Sequence, residues 1–450
     1  MKTLPDHPAG ALGGRAAPAR TASATYEWKP HDVGRWLVWG GFALLLIVAP
    51  KLFTSGLSLT LLSQIGYMVI ICLSYNLLLG QGGMLSFGHA VYTGLGAFFA
   101  VHAMNLASAG SLPIPLPFIP LVGGLAGLGV AALLGYPSTK KAGTPFAMIT
   151  LGVGELVAAM SLMFPEFFGG EGGISANRVY EAQLFGWSFG PSIQVYYLIA
   201  FYCFVCTAAM FAFTRTPLGR MLNAVRDNPE RVEFIGYDTR KVRYLAFMIA
   251  GFFAGIGGSF VAINFEIVTA ETVSAIRSGG YLLFTFLGGA TFFFGPIIGA
   301  VLLVLSSVLL SEITPAWQIY LGFVFLFMVM YAPGGVASLI MMNLRVAAFG
   351  RLGRLWTAYL ALGGAGAVLL AALAAVVEIV YQLQLDGSGE GGVKFFGTVL
   401  DLQHTDTWVG IAFVAATGLV VFELSRRRFV HEWGEAQSEI EKDIKRRESM

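Results

Sequence analysis

Apolar residues run through this chain in blocks of about twenty, parted by short polar or glycine- and proline-bearing stretches, and that spacing is the length at which a helix crosses a bilayer. Blocks of this kind cover residues 36–53, 57–79, 84–106, 118–136, 144–164, 195–213, 244–264 and 317–331, the third broken by glycines. Two shorter blocks, 280–293 and 296–311, are split by Phe294, Gly295 and Pro296 and are barely long enough to cross. A helix is the element that satisfies its own backbone inside lipid, so the pattern predicts an all-α integral membrane protein. It has a core of about ten helices, some short or broken, over residues 34–340.

Beyond the core the periodicity predicts a linker at 341–354 and an extra transmembrane hairpin over 355–428, made of blocks 355–381 and 408–424 around a glycine-bearing loop at 387–392. In the last stretch, 429–450, Trp433, Ala436, Ile440 and Ile444 recur at helical spacing, with Glu early and Lys/Arg late as the helix dipole favours. This predicts an amphipathic helix lying on lipid or on protein. Residues 1–33, rich in Ala, Gly, Pro and Arg, read as a disordered tail.

Composition agrees with the pattern. The chain is 56% hydrophobic and 12% charged, where soluble domains carry about 25% charge. Its few charges matter for topology, because cytoplasmic loops carry the Lys/Arg excess. With the amino terminus inside and ten core crossings, 24 of the 28 basic residues fall on the cytoplasmic side, and both termini with them. Lys51, Arg178, Arg277 and Lys394 fall outside. The net charge of +2 gives no reason to expect nucleic acid. The three cysteines, Cys72, Cys203 and Cys206, all lie in apolar blocks and read as small buried hydrophobes, with no metal expected.

The longest strongly charged segment between two apolar blocks is 214–243, which holds seven of the 28 Lys and Arg residues. Leu218, Met221, Leu222 and Val225 repeat at helical spacing and predict a short amphipathic helix ending near Asp227. Asn228 is placed to cap a second helix, with Pro229 at its first position, Glu230 in its first turn and Gly236 as its stop. The result is either a compact two-helix knob that docks another protein or a connector lying on the bilayer. Apolar Val232, Phe234 and Ile235 among the charges favour docking. No soluble catalytic domain and no phosphate-binding GxxxxGK[ST] loop is found, so the chain reads as a transport subunit and not an enzyme.

At these residues the chain resembles the larger permease subunit of branched-chain amino acid ABC transporters. The resemblance runs through Gly219-Arg220, the stretch from Ala224 to Asn228, and Gly236-Tyr237. In the same order it includes Tyr75 to Gly80 followed by Leu85 to Ala90, Ile149 to Leu151 with Glu155, Gly169 to Ile174, and Leu287 to Gly289 with Phe294 to Pro296. It covers about residues 57–338, and the segment 355–450 lies beyond it.

The resemblance implies an importer in the bacterial inner membrane. A second permease subunit, in a heterodimer, would pair with this chain, two ATP-binding subunits would carry ATP and magnesium, and a periplasmic binding protein would deliver a branched-chain amino acid or a related small amide such as urea. No cofactor is expected on this chain. Arg220, Arg226, Asp227, Asn228, Arg231 and Gly236 are the expected ATPase contact. Asn76, Gln81, Ser86, His89, Thr150 and Glu155 are candidates for the translocation path, and Gly170, Glu171 and Gly173 for the external loop that meets the binding protein.

Alternatives stay open at several of these. Glu155 is either a polar group on the path or an internally paired structural carboxyl, since a lone mid-span carboxylate costs several kcal/mol in lipid. His89 is either a packing residue or a proton relay. The glycines mark either unwound backbone or close helix contact. The competing function is an ion-gradient-driven secondary transporter or channel, which needs several membrane-buried ionisable groups.

Overall fold

A computed structural model describes residues 33–180, 187–386, 393–395, 398–400 and 405–448. The expected amino-terminal tail (except residue 33) and the glycine loop at 387–392 lie outside these residues. The chain divides into two units, 1–45 and 46–450, and the helix α1 (Val33–Leu52) runs from one into the other.

The apolar blocks are helices, as their periodicity predicts. In order they are α2 (Gly56–Asn76), α3 (His89–Ser108), α4 (Ile119–Ser138), α5 (Thr144–Met163), a single turn α6 (Pro165–Phe168) and α7 (Ser192–Arg215). The charged connector forms α8 (Pro217–Asp227) and α9 (Pro229–Phe234) and leads into α10 (Thr239–Phe265). Then come α11 (Ala275–Gly288), α12 (Gly295–Leu305) continued to Ile313 through a π turn and the short α13 (Ser311–Ile313), and α14 (Trp317–Tyr331). The extension is α15 (Gly335–Ala348), α16 (Leu352–Asp386) and α17 (Thr405–Glu448). Among the described residues, nine helices are long and apolar enough to cross a membrane, or ten when α14 and α15, bent by 51°, count as one broken span.

The core is built on α2, α3 and α10, whose central residues are buried on all sides. Close approach of α10 to α3 and α4 depends on missing side chains. A Cβ at Gly255 would lie 2.1 Å from the Gly123 carbonyl oxygen, and one at Gly96 would lie 2.5 Å from the Gly255 Cα. Lipid tails give no hydrophobic advantage to helix association, so dispersion across such small-residue seams holds the bundle together.

Two crossings depart from the regular pattern. The second block does not end cleanly: α2 passes into a π turn, Leu77–Gln81, and the chain then runs without helix to Gly88. The helix expected from 84 therefore starts at His89. The block expected at 280–293 is a 14-residue helix, Ala275–Gly288. At about 1.5 Å per residue such a helix covers only about 21 Å, short of the roughly 30 Å of a hydrocarbon layer. The chain before it, 266–274, is not α-helical and holds a two-residue strand, Ile267–Val268, and a short 3-10 turn, Ala270–Val273.

The extension corrects two expectations. Residues 335–348, partly assigned to a linker, are helical, and the terminal amphipathic segment is no separate helix, because α17 runs unbroken from Thr405 to Glu448. The reason is the destination of its apolar face. Ala436 and Ile440 are buried against Val346 of α15 and Leu355 of α16, with Trp433 and Ile444 at the edge of the same cluster. Arg351 pairs with Glu439 and Asp443 beside it, and Tyr359 donates to Asn343. A continuous helix places that face on protein. At the other end of α16, Thr314 and Tyr320 donate to Glu378, fastening the hairpin to the core there too.

Gly255→Val should abolish the seam between α10 and α4, since its Cβ has no room. The expected result is loss of monodisperse protein on detergent extraction, while Gly152→Val, where nothing lies within 4 Å, is tolerated.

Candidate functional site

The connector folds as its caps dictate. Thr216 accepts from the Gly219 amide at 3.2 Å and caps α8; Asn228 accepts from the Arg231 amide at 3.0 Å and caps α9. Gly236 takes φ +90°, a left-handed value that ends α9 at the expected residue. Thr239 donates to Glu233 at 2.8 Å, and Asp238 caps α10, so the two short helices are tied to the span that follows. Leu222, Val225 and Val232 are buried, which seats the pair on the bundle as a knob.

All six residues expected to meet an ATPase, Arg220, Arg226, Asp227, Asn228, Arg231 and Gly236, are exposed on this knob. Arg226 also reaches the bundle. Its guanidinium donates to the Gly80 carbonyl oxygen at the end of the π turn and pairs with Asp227 at 3.0 Å. It fastens the knob to the broken end of α2, leaving a side chain 37% exposed. Of the apolar residues that favoured docking in the sequence, Val232 is buried, while Phe234 is 89% exposed and Ile235 60%, with Tyr237 50% exposed beside them. Their place beside the Gly236 stop was the available signal, because an apolar pair at a polar helix end has nothing of its own to cover.

The path candidates gather around the break between α2 and α3. Gly80 lies where any side chain would strike the Ala290 carbonyl oxygen, 2.1 Å from its Cβ position, so the first break packs directly on the second, after α11. The non-helical backbone there is held by side chains from three other elements. Tyr75 donates to the Ser86 carbonyl at 2.8 Å, Thr150 of α5 accepts from the Phe87 amide at 3.1 Å, and Ser278 of α11 accepts from the Ala90 amide at 2.8 Å. His89 is buried, with Nε2 bonded to Ser74 at 2.9 Å and its ring edge-on to Tyr75. Asn76, the Ser86 hydroxyl and His89 Nδ1 are buried without a hydrogen-bond partner, and Gln81 is buried beside them. Thr150 thus serves the backbone of the break. Glu155 stands apart, on the exposed face of α5 with Leu151 and Leu156.

At the opposite end of the bundle, Gly170 and Gly173 shape a turn that forms β1 (Ile174–Ser175), paired antiparallel with β2 (Ile267–Val268). Gly173 has φ +72° and ψ −171°, a region open to glycine alone, and a Cβ there would meet the Val268 carbonyl oxygen at 2.3 Å. Glu171 is exposed on this turn. Among the described residues no group of three or more His, Cys, Asp or Glu is arranged to hold a metal.

Comparison with known proteins fits this geometry. The profile of the family described as branched-chain amino acid transport system / permease component matches residues 57–334, which takes in both breaks, the knob and the β1 turn. The chain belongs to that family.

The high-affinity branched-chain amino acid transport system permease protein LivM of Escherichia coli (strain K12) is 28% identical over 60% of this chain and 67% of its own length. The fructose import permease protein FrcC of Rhizobium meliloti is 24% identical over 59% of this chain and 74% of its own. The galactose/methyl galactoside import permease protein MglC of Haemophilus influenzae is 25% identical over 57% and 80%. No solved structure matches. The chain is therefore a multi-pass permease subunit of an ABC importer, a transport component and not itself a catalyst. The extension α15–α17 lies outside the matched segment.

The side-chain clamps on the break are open to a direct check. Tyr75→Phe leaves the Ser86 carbonyl without its donor and should cost about 1–3 kcal/mol, read as a lower unfolding midpoint in detergent. Thr150→Val should do the same and Thr150→Ser should not.

Proposed function

We propose that this chain imports a small solute across the bacterial inner membrane, most simply a branched-chain or related aliphatic amino acid, driven by ATP hydrolysed on two partner subunits. Magnesium and ATP sit on those partners. The knob is their docking surface, and the observation that carries the reading is its construction. Two capped helices present Phe234, Ile235 and Tyr237 to water beside Arg220 and Arg231, while Arg226 ties the same knob to the Gly80 break. A rigid seat of this kind transmits a motion that a flexible loop would absorb.

The knob's basic residues, counted with those of both termini, support a cytoplasmic position. The turn at Gly170, Glu171 and Gly173 then faces the periplasm, where a binding protein would deliver solute. The exposed face of α5 carries Glu155 near mid-span, where a carboxylate facing lipid is costly. That face fits a second permease subunit, with the path between the two. Gly88 abuts the Thr150 carbonyl and Gly154, so Glu155 stands at the level of the break. Asn76, Ser86 and His89, with unpartnered polar atoms there, are the groups such a path would use. An ion-gradient mechanism is less well supported: among the described residues no Asp, Glu, Lys or Arg is buried within the chain.

The test is the double variant Phe234→Asp, Ile235→Asp in the assembled complex, with Arg231→Glu alongside. Uptake into proteoliposomes should fall at least tenfold while membrane insertion is retained and ATP hydrolysis no longer responds to loaded binding protein. Normal uptake in both variants would remove the knob as the coupling site.

A further inference from the structure

Within the single chain, the stretch 266–274 and the start of α11 roof a cavity of about 280 Å³, near the lower end of the size range of small-molecule sites. It opens at membrane depth. Tyr67 and Met68, on its wall, lie near the middle of the Gly56–Gln81 span, and Ser278, next to its Arg277, reaches the Ala90 amide at the start of α3. Neither the knob nor the α5 face accounts for it.

Its lining is mixed. Met68, Ala97, Val261 and Phe265 are apolar, and Arg277, Tyr67, Tyr281, Thr93, Thr269 and Thr272 bring polar groups. Arg277 is the only ionisable cation on the wall. It pairs with Glu271 at 3.1 Å through one nitrogen and is 45% exposed, so the rest of its donor fork is free to grip a carboxylate in bidentate fashion. Glu271 beside it supplies the opposite charge. The Glu271 carboxylate, outside the wall but 3.1 Å from the Arg277 guanidinium, completes a cation–carboxylate pair that matches an ammonium and a carboxylate on one carbon whose hydrocarbon tail enters the hollow.

The structure also explains why charges stand at this depth. Irregular backbone and ionisable side chains inside a membrane are tolerated where they line a cavity open to water. Stretch 266–274 is such backbone, anchored by the β1–β2 pair and by the bond from the Arg178 amide to Glu266 at 2.9 Å.

We propose that this cavity is a solute site within one permease chain, taking an aliphatic α-amino acid with its carboxylate on Arg277 and its ammonium on Glu271. The assignment rests on the importer reading above but concerns where in the chain the solute sits, so the two can fail separately.

The test is equilibrium binding of tritiated L-leucine to the full complex in nanodiscs without ATP. Competitors are leucinamide, which lacks the carboxylate, isocaproate, which lacks the ammonium, and D-fructose. Leucine should bind saturably and the three competitors should displace it at least tenfold less well. Arg277→Gln should weaken binding at least tenfold, Arg277→Lys should weaken it less, and Val261→Trp, which fills the hollow, should exclude leucine. Unchanged thermal melting of each variant separates a lost site from a lost fold. Binding that is absent in the native complex, indifferent to Arg277→Gln, or equally displaced by fructose overturns the proposal. ATP-driven uptake measured on the same preparations reports on the importer reading alone: if it fails while Arg277-dependent binding persists, the site stands and the coupling reading falls.

Discussion

A peptide N–H or C=O inside hydrocarbon has no water to bond, and leaving one unpaired costs several kcal/mol. The protein breaks helix at two places inside its core, and much else in the structure answers the polar groups those breaks release. Tyr75, Thr150 and Ser278, from three different helices, each satisfy one backbone group between Ser86 and Ala90. Arg226, from outside the membrane-crossing bundle, takes the carbonyl of Gly80. In the stretch before α11, Ile174 pairs with Val268 and Ser175 with Ile267, so part of that backbone is satisfied by strand pairing.

This requirement joins distant parts of the chain into one mechanical line. The knob holds Gly80 through Arg226, Gly80 packs on the Ala290 carbonyl, and Gly289 packs on Gly334 and Ala337 where α14 bends into α15. A displacement of the knob therefore reaches both breaks and the entry to the extension through direct contact. The extension is fastened to the core at Glu378 and closed on itself around Val346, Leu355, Ala436 and Ile440, so it is bound to the same body.

Much of this was legible in the residues. Asn228-Pro229 and Gly236 mark the caps of the knob so directly that α8 and α9 begin and end where local chemistry places them. Helix existence followed from apolar block length. What periodicity cannot show is how deep an element begins. The backbone around the start of α3 at His89 is held by tertiary partners, Thr150 and Ser278, that lie 63 and 188 residues from Phe87 and Ala90 in sequence. The same holds for the second contact of Arg226, whose guanidinium, on a side chain still 37% exposed, also holds the Gly80 carbonyl. For the extension, the spacing of Trp433 to Ile444 revealed an apolar face, but only the fold reveals that the face is covered by Val346 and Leu355.

The central claim is that Arg226 makes the knob and the broken core one rigid body. Spin labels at Phe234→Cys on the knob and Leu133→Cys on the outer face of α4 give a distance that reports on this, both sites being well exposed and the native cysteines buried. A single narrow distance distribution is expected in the otherwise unaltered chain and a broad one when Arg226→Gln is added. An equally narrow distribution at the same distance in the variant would contradict it.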